Sequence, residues 1–221
     1  MGILIKFILN NIREKKFRTF LILFSIMLSS ALLFASLAIS TTVEKMYLKR
    51  MKKSIGSAEI MISADKGSPT KFFRPNKIER FINNLEYIVG TVGGKATYKY
   101  SKTETEEVSL QGYNLEDLAV MNPITLQEEI ELKPFRGRKV IISNLEAEKY
   151  NLDLGDPLDL KINDRRYRFI IAGVAVHQGL FSSGGQMTVV IPKNKLASLY
   201  GVRGLNSTIY IKTKDNVSID D

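Results

Sequence analysis

The chain has 221 residues, 44% of them apolar, with 32 Lys and Arg against 23 Asp and Glu, a formal charge of +9. That is the composition of one folded domain, or one domain with an appendage, and excludes a wholly disordered chain. With no cysteine and a single histidine, His177, disulfides, thiolate zinc sites, iron–sulfur clusters, a cysteine nucleophile and a multi-histidine metal site are excluded.

A charge of +9 first suggests nucleic acid or an anionic membrane surface. Its distribution decides between them. Residues 1–43 carry a net +4, residues 44–74 a net +5, and residues 75–221 contain 19 basic and 19 acidic side chains. The whole excess flanks Thr19 to Val43, a stretch without a charged residue. The neutral remainder offers no broad phosphate-binding face, so nucleic acid is not an expected partner.

In chain order, residues 1–18 read as a basic amphipathic helix. Ile5, Ile8, Leu9 and Ile12 recur on one side, with Lys6, Arg13 and Lys16 elsewhere. Residues 19–43 read as a transmembrane helix, since about 20 apolar residues span the hydrocarbon layer of about 30 Å. A buried core helix and a cleaved signal peptide are the other readings. The apolar run is longer than an ordinary signal sequence core, although Ala38-Ile-Ser40 resembles a cleavage site. Residues 44–55 lack a helix breaker before Gly56 and extend the helix as a stalk. Its Lys45, Lys49, Arg50, Lys52 and Lys53 are placed to reach lipid phosphates.

Ala58–Ser63 reads as a strand, 67–74 as a loop, and Pro75 as the start of a helix with Ile78, Phe81, Ile82 and Leu85 on its apolar face. Gly90–Ala96 reads as a turn between elements, followed by strands at Ala96–Tyr100 and Glu107–Gly112 joined by a polar turn. Lys139–Ile142 is an apolar strand. Ser143 is an expected N-cap with Glu146 as its capping-box partner, for a helix Asn144–Tyr150. Leu158, Leu160 and Ile162, then Tyr167, Phe169 and Ile171, alternate with polar residues around Asn163-Asp164, which predicts a hairpin. Residues 173–185 read as a loop, Met187–Ile191 as a strand, Pro192–Tyr200 as a short helix stopped by Gly201, and Ser207–Lys212 as a strand. Ser218-x-x-Asp221 has the form of a helix start with no helix after it, which reads as a truncated chain.

Sites of chemistry are hard to find. Gly90-Thr-Val-Gly-Gly-Lys-Ala96 lacks the first glycine and the Ser/Thr of a phosphate-binding loop. His177 has no acid beside it in sequence. Glu104, Glu106 and Glu107 lie in a polar turn, and Arg165–Arg168 reads as a solvated hairpin face. No catalytic, cofactor or metal residues are assigned, and the chain is not expected to be an enzyme.

Ordered motifs carry a resemblance. Asn11-Ile12-Arg13-Glu14-Lys15-Lys16-Phe17-Arg18-Thr19 leads into the apolar helix. Ile142-Ser143 with Ala147, Leu152-Asp-Leu-Gly-Asp-Pro-Leu-Asp-Leu160, Ile170-Ile-Ala-Gly-Val174 and Val189-Val-Ile-Pro192 follow in turn. The chain resembles the N-terminal part of a permease of the MacB/FtsX type from ATP-binding-cassette transporters. The resemblance covers essentially all 221 residues; three further membrane helices of such permeases have no counterpart here.

The resemblance implies an α+β fold: one transmembrane helix with a stalk, then a two-lobed extracytoplasmic core domain over 56–221. One lobe is expected at about 56–105 and 205–221, and an inserted β-rich lobe at about 106–204. It implies a cell-membrane protein, N-terminus cytoplasmic and residues 44–221 extracytoplasmic. It also implies a separate ATP-binding-cassette ATPase subunit and a second permease copy as partners, with no cofactor in this chain. Function is then transport or mechanotransmission, coupling ATP hydrolysis in the partner to movement of the outer domain. The sensor domain of a membrane signalling receptor is the alternative. The site residues implied are the loop His177, Gln178, Gly179, Leu180, Phe181, Ser182, Ser183, Gly184, Gly185 and Gln186, for a substrate or partner protein, and Asn11, Arg13, Lys16 and Arg18 on the cytoplasmic side.

Overall fold

The computed structural model describes residues 2, 15–65, 67–74, 85–182 and 185–214. The chain divides into two compact units, Met1–Lys49 and Arg50–Asp221.

The first unit is dominated by helix α1, Lys16–Ile55, whose 40 residues run on into the start of the second. At about 1.5 Å per residue it is about 60 Å long. Its apolar window has a mean hydropathy of 2.4 and is wholly unburied, so the helix is long and apolar enough to cross a membrane. Three hydroxyls within and beside the apolar run, those of Ser30, Thr41 and Thr42, bond back to carbonyls of the same helix. Ser30 donates to the Ile26 carbonyl at 2.8 Å, and Thr42 to that of Ala38 at 2.7 Å. The helix passes residues 18/19 and 43/44 without a break, as the absence of Gly and Pro from 16–55 dictates. The expected amphipathic helix falls mostly outside the described residues; Lys16 and Arg18 belong to the first turn of α1.

The second unit holds strands β1 (Ile60–Ser63), β2 (Leu85–Lys99), β3 (Thr105–Tyr113), β4 (Lys139–Ser143), β5 (Pro157–Ile162), β6 (Arg165–Ala175), β7 (Met187–Pro192) and β8 (Thr208–Thr213). Short helices are α2 (Leu115–Met121), α3 (Asn144–Tyr150) and α4 (Lys193–Tyr200). The strand order is β1-β8-β2-β3-β7-β4-β6-β5, and β5 also pairs with β2. Strands β2, β3, β7, β4, β6 and β5 therefore close into a barrel, from which β8 and β1 branch. β2 belongs to both parts. Residues 85–91 pair with β8, and residues 92–99 pair with β3.

Two cores follow from this closure. Val92, Ala96, Val108, Leu110, Leu158, Leu160 and Phe169 fill one together with Leu196 and Ala197 of α4. Ala58, Leu118, Met121, Ile141, Leu180, Phe181 and Val190 form the other. All six residues of β7 are buried, with Val189 and Ile191 in the first core and Val190 in the second. A strand covered on both faces has to read as a continuous apolar run, and Met187–Ile191 does.

The hairpin forms as its alternation predicts. Asn163 and Asp164 both have positive φ, 46° and 64°, the pattern of a tight primed turn. Helix α3 has the expected bounds, and Ser143 Oγ accepts from the Glu146 amide. The return half of the capping box is not made: Glu146 Oε2 is buried without a hydrogen-bond partner.

Three expectations change. Gly90–Ala96 is the middle of β2, not a turn. A Cβ at Gly90 would lie 2.6 Å from the Asn206 side chain, and one at Gly94 would strike the Tyr200 phenol ring. The glycines admit side chains that lie across the strand, and Tyr200 Oη donates to the Lys95 carbonyl at 2.9 Å. Leu85 opens β2 rather than closing a helix; the rest of that expected helix lies outside the described residues. Gly173 and Val174 are strand rather than loop, because β6 runs to Ala175 alongside β4.

Candidate functional site: the stalk joint and the 177–186 loop

Within the second unit, which takes in α1 from residue 50 onward, the last turn of the helix is tied to the end of α2 by short-range chemistry. Gly56 turns the chain in a left-handed conformation, φ +67°. A Cβ there would fall on the Met121 carbonyl oxygen and lie 2.8 Å from Asn122 Cβ. The Ser57 amide donates to the Met121 carbonyl at 2.8 Å, and Ser57 Oγ sits 2.8 Å from Tyr87 Oη. The buried Asn122 amide donates from Nδ2 to the carbonyls of Lys53, at 3.1 Å, and Ser54, at 2.9 Å. Those carbonyls belong to the last turn of the helix, which otherwise lacks partners for them. Asn122 thus caps α1 from another element. The Asn122-Pro123 dipeptide is a turn signal, but nothing local points it at the stalk.

The 177–186 loop is anchored on the neighbouring side of the same core. Gly179–Ser182 form a 3-10 turn, and Leu180 and Phe181 are buried, 5% and 2% exposed. A Cβ at Gly179 would lie 2.6 Å from Asn122 Oδ1, so the loop and the joint share that side chain. Gln178, Gly185 and Gln186 are exposed, while Ser183 and Gly184 lie outside the described residues. Gln178 donates to Thr125 Oγ1 at 2.8 Å and Gln186 to Glu107 Oε1 at 3.1 Å. The loop therefore splits into an apolar foot that is core and a polar rim that faces outward.

His177 does have acids near it once the chain is folded. Glu146 and Glu106 line with it a cavity of about 270 Å³. Burial raises the Glu146 carboxyl above its usual range, opposed by a bond from its own backbone amide and by the His177 ring. His177 Nδ1 lies 3.2 Å from Ser143 Oγ, and its amide donates to Asn144 Oδ1 at 2.9 Å. Ser143 is fully buried and already caps α3, so its hydroxyl is closed to a substrate. The cluster pins the loop to α3.

Of the other expected site residues, Asn11 and Arg13 lie outside the described residues, and Lys16 and Arg18 are exposed on α1. Lys45, Lys49, Lys52 and Lys53 are exposed along its later turns. Arg166 and Arg168 face solvent while Tyr167 packs against the barrel core, as the hairpin pattern requires.

A helix of membrane length, followed in the chain by a closed barrel with a branched sheet, makes this an α+β protein. The family model described as "MacB-like periplasmic core domain" matches residues 19–221, and the chain belongs to that family. Among solved structures, the periplasmic region of MacB from Actinobacillus actinomycetemcomitans shares the fold. Its identity is 12% and its TM-score 0.52, with 76% of this chain and 80% of that one covered. The extracellular domain of the noncanonic ABC-type transporter YknZ from Gram-positive bacteria aligns at 20% identity and TM-score 0.49, over 73% of this chain and 86% of that one. The comparison with curated proteins returned no match.

Proposed function

We propose that this chain is a permease-type subunit of an ABC-type transport or mechanotransmission complex, and not an enzyme. ATP hydrolysis in a separate subunit moves the outer domain, which acts outside the cytoplasm. The N-terminus lies in the cytoplasm, and two permease copies are brought together by the ATPase.

The observation that carries this reading is the joint. An unbroken 40-residue helix ends in a clasp of Gly56, Ser57 and Asn122 on the outer domain. A flexible tether would suffice to anchor a passive domain. A capped, sterically filled junction suits a part that must pass a displacement on. Membership of the MacB-like family and the likeness to the MacB periplasmic region support the same reading. The loop rim at Gln178 and Gln186 is then the surface for substrate or partner protein.

The test is to purify the full-length protein from its own membranes in a mild detergent. A co-purifying nucleotide-binding subunit whose ATPase rate changes with the permease is expected. Recovery with a histidine kinase or methyl-accepting partner instead would replace this reading with the sensor one.

A further inference from the structure

Charge is concentrated on the outward face of β2, β5 and β6. Lys161 and Arg166 are direct register partners on β5 and β6, and Thr97 of β2 is the partner of Lys161 on its other side. Like charges directly opposite one another on a strand pair repel. Lys99 is two residues beyond Thr97 on the same exposed face, and Lys102 lies in the turn to β3. These four cations line a groove of about 570 Å³ beside Tyr100, and Asp159 is the only acid in its lining. That acid is already engaged. Arg168 donates to it through Nε and Nη2, both at 2.8 Å. Lys161 has Asp164 at 2.8 Å, a side chain 93% exposed and so a weak partner. Among the described residues, Lys99, Lys102 and Arg166 form no ion pair. Residues 75–221 balance to zero overall, so this excess is local.

We propose that this groove binds the phosphoryl groups of an anionic polymer outside the cytoplasm. The location rests on the proposed function; the binding chemistry does not. The groove is open and its cations are exposed, so it builds no enclosed cradle for a single small anion. Open cations hold a ligand by adding contacts, which favours a polymer carrying many charges. Three ammonium point charges and one planar guanidinium fork match phosphoryl oxygens. The half-exposed Tyr100 ring offers an apolar wall for the carbon backbone between phosphates.

The experiment is fluorescence anisotropy of a fluorescein-labelled linear polyphosphate with the full-length chain in detergent, across a salt series. The stalk lysines contribute binding of their own, so the readout is the difference between variants. Lys161→Glu with Arg166→Glu is expected to weaken binding about 10-fold or more. It should also flatten the slope of log Kd against log salt by about 1.5, two contacts at about 0.7–0.9 each. Lys195→Glu with Lys214→Glu, an equal charge change elsewhere, should move neither. Lys161→Gln with Arg166→Gln, gentler on the fold, should lose binding in the same direction. Unchanged binding in both groove variants, or an equal loss in the control, overturns the proposal. So does orthophosphate competing as well per phosphate as the polymer, which would mean a small-anion site. Polyglutamate bound as tightly and lost in the same variants would reassign the groove to an acidic protein. None of these outcomes bears on recovery of an ATPase partner.

Discussion

Replacing Gly56 by alanine tests the joint directly. The new Cβ is placed on the Met121 carbonyl oxygen and against Asn122 Cβ, so the backbone or α2 has to move. A side chain at positive φ costs about 1–2 kcal/mol by itself. Moving Met121 and Asn122 sacrifices the Ser57 amide bond and the two bonds from Asn122 Nδ2, each worth about 0.5–1.5 kcal/mol net. The sum is about 4 kcal/mol. For a domain of this size about 1 kcal/mol shifts Tm by roughly 2–4 °C, so a fall of about 8–16 °C is expected. Near-UV circular dichroism of the full-length chain in detergent reads it through the tyrosines. Gly137→Ala is the matched control. Its φ is +75°, yet nothing lies within 4 Å of an added Cβ, so only the backbone cost applies, about 3–6 °C. Hydrogen exchange should quicken at 57 and 115–122 in Gly56→Ala while β7 stays protected. Equal Tm losses in the two variants would refute the steric argument for the joint.

Further outcomes follow from the loop and its anchor. Phe181→Ala is expected to cost about 3–5 kcal/mol by chemical denaturation, because the ring is core, whereas Gln178→Ala and Gln186→Ala leave stability within about 0.5 kcal/mol. Ser143→Ala should cost about 1 kcal/mol through the lost cap, seen as a Tm drop of about 2–4 °C. Glu146 has a raised folded pKa, so the folded state holds its proton to higher pH than the unfolded chain. Stability therefore falls as pH rises from about 4.5 through the raised value. Glu146→Gln should flatten that decline, matching the parent in Tm at pH 4 and exceeding it at neutral pH; a lower Tm than the parent at pH 7 would contradict this.

The parts that sequence made legible are those decided by neighbours in the chain. The apolar run to Val43 dictates α1, the alternation around Asn163-Asp164 dictates the β5–β6 hairpin, and Ser143 dictates the start of α3. The errors arise where a distant residue decides. Gly90 and Gly94 look like turn residues until Asn206 and Tyr200, over a hundred positions away, are seen lying on the strand. His177 has no acid within several residues, and folding supplies Glu146 from another element. Asn122 is likewise silent in sequence, since its meaning depends on the stalk carbonyls it reaches. The apolar centre of the 177–186 loop carried an ambiguous signal. Leu180-Phe181 suits a docking surface or a buried foot equally, and only burial separates them.

The long strand β2 has one more consequence. Its first half is hydrogen-bonded into the branch with β8, and its second half is a stave of the barrel. Branch and barrel are therefore joined by one unbroken strand, with the change of partner falling between Thr91 and Val92. Tyr87, in the branch half, touches Ser57 at the joint, and Lys99 lies at the other end on the charged groove. The joint and the groove are therefore linked along a single strand, with no loop between them. One strand serves as the keel of the second unit, with the joint at one end and the charged groove at the other.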